Sequence, residues 1–225
     1  MELLLLSSSR TPAGYLTDYL GDIKPFTAEV RRAVFIPFAA VSLSWDEYAK
    51  RVEDALAFPL YPVNELANAD LVIVGGGNTF RLLKECRERG LLNVIREKVR
   101  NNTRYLGWSA GANLACPTIK TTNDMPIVDP GSLDALGLVP FQINPHYLNV
   151  SLPGHHGETR DDRLAEFARM NPELPVFALP EGSWIRVSGQ GAGMRAELRG
   201  AHAAMLFHGT RPAARVSPGP IPHKL

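Results

Sequence analysis

RYLGWSAGANLAC, residues 104–116, governs how the rest of the chain is read. It places Gly107-Trp108-Ser109-Ala110-Gly111, a G-x-S-x-G, directly behind a short apolar strand. Two glycines flanking a serine allow a sharp strand-to-helix turn whose backbone would crowd larger side chains. Such a turn lifts the hydroxyl out of the sheet, within reach of a base and a substrate. Five residues alone recur by chance in many chains, so the flanking sequence has to supply the context.

On either side, apolar runs alternate with amphipathic stretches, as a βαβ protein requires. ELLLL (2–6) reads as a buried strand, with a helix expected near 15–24, and RAVFIPF (32–38) reads as a second strand. Ser44 and Glu47 form the S-x-x-E capping box of a helix. ADLVIVGGG (69–77) is a buried strand running into glycines, followed by a helix that ends at Gly90 and by another, LLNVIREKVRNN. LVPFQI (138–143) reads as a strand, TRDDRLAEFARM (159–170) as a helix capped by Thr159, and LPVFALPEGSWIRV (174–187) as strand, turn, strand. Near-continuous apolar strands imply a mostly parallel sheet covered by helices on both faces. Ligands of such sheets bind beyond the carboxyl ends of the strands, where both glycine turns fall. A single catalytic domain over 1–210 is expected, with residues 211–225, rich in proline, forming a loose tail.

The 225 residues, 45% of them hydrophobic and 21% charged, fit one globular domain. A formal net charge of +1 gives no reason to expect nucleic acid or an anionic membrane as partner. The longest apolar run near the start, Leu3–Leu6, is too short for a signal peptide or a membrane span, so a cytoplasmic location is expected. Two cysteines, Cys86 and Cys116, form neither a disulfide framework nor a zinc motif and read as buried free thiols. No metal-ligand pattern is present, and no cofactor is expected.

A serine nucleophile needs a base, and the base an orienting acid. Of six histidines, His223 lies in the proline-rich tail and the pair His155-His156 in a solvent-like loop. His146 follows a strand through Asn144-Pro145, and the proline would hold its imidazole at the sheet edge. Glu181, at a turn after a buried strand, and Asp124, in TTNDMP, compete as the orienting acid. GGGNTF fails the dinucleotide fingerprint, because Phe80 stands where the last glycine belongs, and no Walker lysine follows. Its backbone could instead offer N–H groups to an oxyanion, together with the amide after Ser109. An α/β-hydrolase would wire the same chemistry in the order Ser, acid, His and would use a late histidine, His202 or His208.

VFIPFA, SWDEY, IVGGGNTFRLLKECRERGLL, GWSAGANLACPTIKTTNDMPIVDP, QINPHY, GETRDDR and LPEGSWI together resemble the peptidase E family of aspartyl dipeptidases, in order, over residues 1 to about 190. The resemblance implies a single-domain three-layer α/β/α fold with a mostly parallel sheet, class I glutamine amidotransferase-like (flavodoxin-like). It also implies a cofactor-free serine peptidase that hydrolyses dipeptides with an N-terminal aspartate (Asp-Xaa), as a monomer or homodimer. Matched position by position, the nucleophile falls on Ser109, the base on His146 and the third triad member on Glu181, with Asp124 as a supporting acid. Gly77 and Ala110 match the oxyanion hole, Arg160 the arginine that holds the aspartyl side chain, and Asn78 a residue near the substrate amine. The carried-over order, Ser, His, Glu, differs from the α/β-hydrolase wiring. An esterase of other specificity and an inactive ligand-binding protein on the same fold are the alternatives. Beyond about residue 190 the likeness fades.

Overall fold

The computed structural model describes residues 1–150, 154 and 157–222. The chain opens with β1 (Glu2–Leu6) and a short hairpin, β2 (Arg10–Thr11) and β3 (Gly14–Tyr15), before α1 (Leu20–Thr27). β4 (Ala33–Ile36), α2 (Trp45–Leu56), β5 (Leu60–Tyr61), β6 (Leu71–Val74), α3 (Thr79–Glu88) and α4 (Leu91–Arg100) follow. Next come β7 (Arg104–Trp108), α5 (Ala110–Ala115), β8 (Gln142–Asn144), α6 (Arg160–Met170), β9 (Val176–Ala178) and β10 (Ser183–Ser188). β11 (Arg195–Gly200), β12 (Ala204–Phe207), β13 (Ala214–Val216) and β14 (Gly219–Ile221) complete the order.

Eight strands form the main sheet in the order β14-β11-β10-β1-β7-β6-β4-β5. β1, β7, β6, β4 and β5 are parallel, whereas β10, β11 and β14 join antiparallel. The sheet is therefore mixed: its parallel part is what the apolar runs implied, and the hairpin β10–β11 extends it past β1. Successive residues of the parallel strands enter opposite apolar layers. Leu3, Leu5, Val72 and Val74 pack with α3, α4 and α5, while Leu4, Leu6, Leu71 and Ile73 pack with α1 and α2. Burial on both faces is why these strands carry no polar alternation.

A second sheet, β13-β12-β9-β8, lies beside the first. Three local expectations are corrected. LVPFQI is a strand only from Gln142, because Gly137 and Leu138 donate their amides to the carbonyls of Cys116 and Ala115, at the end of α5. The strands flanking Pro180-Glu181-Gly182 belong to different sheets, so this turn crosses from one to the other. The stretch expected to be loose instead forms β13 and β14, paired with β12 and β11. Pro220 is tolerated because β14 is an edge strand, where a missing N–H need not break a ladder. Among the described residues no helix is long and apolar enough to cross a membrane.

Candidate active site

Ser109 sits between β7 and α5 with φ 53° and ψ −112°, a conformation that costs a non-glycine residue about 1–3 kcal/mol. Its surroundings enforce that turn. The Ser109 amide continues the ladder to Leu6 at 3.0 Å, and the buried Tyr105 hydroxyl donates to the Gly111 carbonyl at 2.7 Å. A Cβ on Gly111 would stand 2.2 Å from the Val74 carbonyl oxygen, and one on Gly107 would stand 2.6 Å from that of Gly111. The two glycines of G-x-S-x-G are thus required by close approach of backbone to backbone.

His146 also carries a positive φ, 53°. Its amide donates to the buried Ser7 hydroxyl at 2.9 Å, and that hydroxyl donates onward to the Leu179 carbonyl at 2.7 Å. Held this way, Nε2 lies 2.8 Å from Ser109 Oγ and Nδ1 lies 2.7 Å from Glu181 Oε1. Glu181 is fixed by its turn, in which Ser183 donates to the Pro180 carbonyl and Gly182 to the Tyr19 hydroxyl. Serine, imidazole and carboxylate form one continuous hydrogen-bonded line.

Asp124 faces the same cavity but is bonded elsewhere. One carboxylate oxygen accepts from the Thr79 amide (2.7 Å), the Thr79 hydroxyl (2.5 Å) and the Thr122 hydroxyl (3.1 Å). A carboxylate suits that place, since the first amides of α3 lack intrahelical partners. Asn78 caps α3: its Oδ1 accepts from the Arg81 amide at 3.0 Å, and its Nδ2 donates to the Met125 carbonyl at 2.8 Å. From there Asn123 donates to the Pro145 carbonyl and accepts from Asn144, each at 2.7 Å. Residues 123–125 therefore brace the glycine turn against the histidine loop. Gly77, at φ 139°, leaves no room for a Cβ, which would meet the Ala39 carbonyl oxygen at 2.2 Å. Its amide, like that of Ala110, has no hydrogen-bond partner among the described residues.

Arg160 begins α6 behind the capping box of Thr159 and Asp162, and its Nη1 donates to Asn144 Oδ1 at 3.3 Å. It is half-buried, and desolvation, then nearby Arg163, pulls its pKa down. It does not line the cavity above Ser109. That cavity, about 530 Å³, is walled by Ser8–Arg10, Tyr15, Val41–Leu43, Tyr48, Arg51, Gly76 and Gly77 around the triad. Ser7, Tyr48 and the two arginines went unnoticed in the sequence. Only Tyr48 gave a signal, three residues from Arg51 on an amphipathic helix. Tyr48 accepts from the Trp108 indole at 3.0 Å and donates to the Gly76 carbonyl at 3.1 Å, bracing the glycine turn from the α2 side.

Neither late histidine approaches Ser109 as His146 does. His202 lies near Gly182, and His208 pairs with Arg211 at 3.4 Å. His155, His156 and His223 lie outside the described residues. Cys86 and Cys116 are buried free thiols. Among the described residues no group of three or more His, Cys, Asp or Glu side chains could hold a metal ion.

A strained serine at the end of a central parallel strand, with a histidine and a carboxylate in line, defines a serine hydrolase on a flavodoxin-like, class I glutamine amidotransferase-like α/β fold. Residues 3–195 match the model of peptidase family S51. The chain is 53% identical to the peptidase E proteins of Shigella flexneri serotype 5b and Escherichia coli K12, over 203 aligned residues covering 84% of this chain and 87% of theirs. Two solved structures share the fold. A Listeria monocytogenes EGD-e protein assigned to peptidase E has a TM-score of 0.63 at 22% identity, covering 89% of this chain and 98% of its own. A peptidase from an acI-B1 Actinobacterium has a TM-score of 0.58 at 14% identity, covering 96% and 93%. The chain belongs to peptidase family S51 and is a serine peptidase.

Proposed function

We propose that this serine dipeptidase cleaves dipeptides with an N-terminal aspartate, through a Ser109–His146–Glu181 triad and an acyl-enzyme. The observation that carries the reading is the unbroken line from Ser109 Oγ through His146 to Glu181, at 2.8 and 2.7 Å, opening into a cavity large enough for a dipeptide. In the productive tautomer, His146 donates Nδ1–H to Glu181 and accepts the serine proton at Nε2. Ser109 Oγ adds to the peptide carbonyl, and the oxyanion takes the amides of Gly77 and Ala110. His146 then passes the proton to the leaving amine, and water hydrolyses the ester by the same steps in reverse. Asp124 and Asn78 hold the Gly77 turn from below, which makes them positioning residues for the oxyanion hole. The aspartyl preference is assigned to Arg160 on the likeness to peptidase E; this residue stands outside the lining of the Ser109 cavity, half-buried and bonded to Asn144, and a planar guanidinium suits a carboxylate. Reduced, buried Cys86 and Cys116 favour action in the cytoplasm.

Hydrolysis of Asp-Leu, Glu-Leu, Ala-Leu and N-acetyl-Asp-Leu, with and without chelator, tests the reading. Asp-Leu is expected to be cleaved fastest and the acetylated peptide poorly, with chelator making no difference. Equal rates on Asp-Leu and Ala-Leu would overturn the aspartyl assignment.

A further inference from the structure

The wall of the Ser109 cavity formed by the β2–β3 hairpin and α2 contains two arginines for which the catalytic reading has no use. Arg10 and Arg51 both line the cavity, and among the described residues neither guanidinium forms a salt bridge or a side-chain hydrogen bond. Both backbones are well held. Leu16 donates to the Ser9 carbonyl at 2.6 Å to close the hairpin, the Ser8 hydroxyl donates to the Arg10 carbonyl at 3.0 Å, and Arg10 stands cross-strand from Tyr15. Arg51 lies one turn beyond Tyr48 on α2, a spacing that puts the two on one helix face. The Tyr15 hydroxyl is fully buried against Tyr48 and Ser9, so it packs behind this wall rather than facing the cavity.

The remaining charged groups of the cavity, Asp124 and Glu181, are carboxylates already engaged with Thr79 and His146. An anion entering the cavity is therefore drawn to the hairpin–α2 wall. Arg160 stands apart from that wall and outside the cavity lining, bonded to Asn144. Every dipeptide carries a C-terminal carboxylate one residue beyond the scissile bond. Arg10 and Arg51 are the arginines of the cavity wall available to receive it.

We infer that Arg10 and Arg51 form the binding site for the C-terminal carboxylate of the substrate. This site confines the enzyme to dipeptides, because a longer peptide would carry its carboxylate past the wall. Planar guanidinium groups pair well with carboxylate, and both partners here remain partly hydrated, so the contact acts on KM and weakens as salt rises.

The inference rests on dipeptidase activity but not on which first residue is preferred. The experiment compares kcat/KM for a dipeptide and for its C-terminal amide, with Asp-Leu and Asp-Leu-amide first, and with the Ala-Leu pair if Asp-Leu is not the preferred substrate. Unmodified enzyme is expected to prefer the free acid by about tenfold or more, and to lose most of that preference in 0.5 M salt on the scale of Debye screening. Arg10→Gln and Arg51→Gln should each raise KM for the free acid several-fold, with kcat and the rate on the amide unchanged. The double variant should treat acid and amide alike. A preference that survives in the double variant, or none in the unmodified enzyme, would overturn the inference. Equal losses on acid and amide would also overturn it, assigning these arginines to the aspartyl side chain or to the fold. Failure on Asp-Leu together with an intact acid-to-amide preference on Ala-Leu would count against the aspartyl reading alone.

Discussion

The Asp124 carboxylate accepts from both the amide and the hydroxyl of Thr79, at 2.7 and 2.5 Å, and its hydrogen bonds go to the start of α3 rather than to His146. Asp124 and Glu181 both line the cavity, and only Glu181 reaches the imidazole.

The two acids should therefore fail differently. Glu181→Gln is expected to lower kcat by about 10²–10⁴, the scale of a mis-set catalytic base, with an unchanged melting temperature. Asp124→Asn weakens the anchor of the glycine turn, a change comparable to losing a helix cap at about 1 kcal/mol. That corresponds to a fall in Tm of roughly 2–4 °C for a chain of this size. Its effect on kcat should be the smaller of the two. Calorimetry beside steady-state kinetics decides the matter, and a larger kcat loss with unchanged Tm at Asp124 would reverse the roles.

Ser109→Ala and His146→Ala should each remove on the order of 10⁶ in kcat, while His202→Ala stays within a few-fold of the unmodified enzyme. Labelling by an organophosphorus reagent, read by intact mass, offers a check without a peptide substrate. One adduct is expected on the unmodified chain and none on Ser109→Ala.

Arg160→Met is expected to lower kcat/KM for Asp-Leu by about a hundredfold, the scale of a truncated charge pair. Organophosphorus labelling of Ser109 should continue at its usual rate, since the triad is untouched. Parallel loss of labelling would mean that Arg160 maintains the histidine loop through Asn144 instead.

Burial pushes both cysteine thiols up to about 12, so neither ionises in the folded chain near neutral pH. An aromatic disulfide reagent at pH 8 should titrate no thiols in native protein and two after denaturation. The same shift has a stability consequence. With folded values above the ordinary value of about 8.5, the thiols contribute fully below that pH. The contribution declines as pH rises toward about 12. Urea midpoints measured from pH 7 to 10 should fall for the unmodified chain and fall less for a Cys86→Ala, Cys116→Ala double variant.

The Ser109 turn was legible because its requirement is local: a strand, two glycines without room for a Cβ, and a helix are contiguous in sequence. His146 was legible for a related reason, since Pro145 fixes the chain just before it. The support of these residues was not. Ser7 is 139 residues from the histidine amide it receives, and nothing near either residue announces the pairing. The Thr79 anchor made Asp124 look interchangeable with Glu181, because a carboxylate in a polar turn reads alike whether it meets an imidazole or a helix start. At the C-terminal end the prolines pointed to a loop, whereas β14 shows that an edge strand can carry one. Arg10 and Arg51 are 41 positions apart, and only the folded chain brings both to the lining of one cavity.

The Pro180–Gly182 turn, which passes from one sheet to the other, gives the hydrogen-bonded line from Ser109 to Glu181 an unusual dependence. Ser109 is mounted on the large sheet, His146 on the end of the small one, and Glu181 on the strap between them. With the triad proposed above, hydrolysis would report the alignment of two separately hydrogen-bonded sheets. Slippage of about 1 Å between them would silence the enzyme while every strand remained paired. During gentle denaturation the reaction should stop well before the circular dichroism changes, which makes turnover the most sensitive available gauge of how the two sheets are seated.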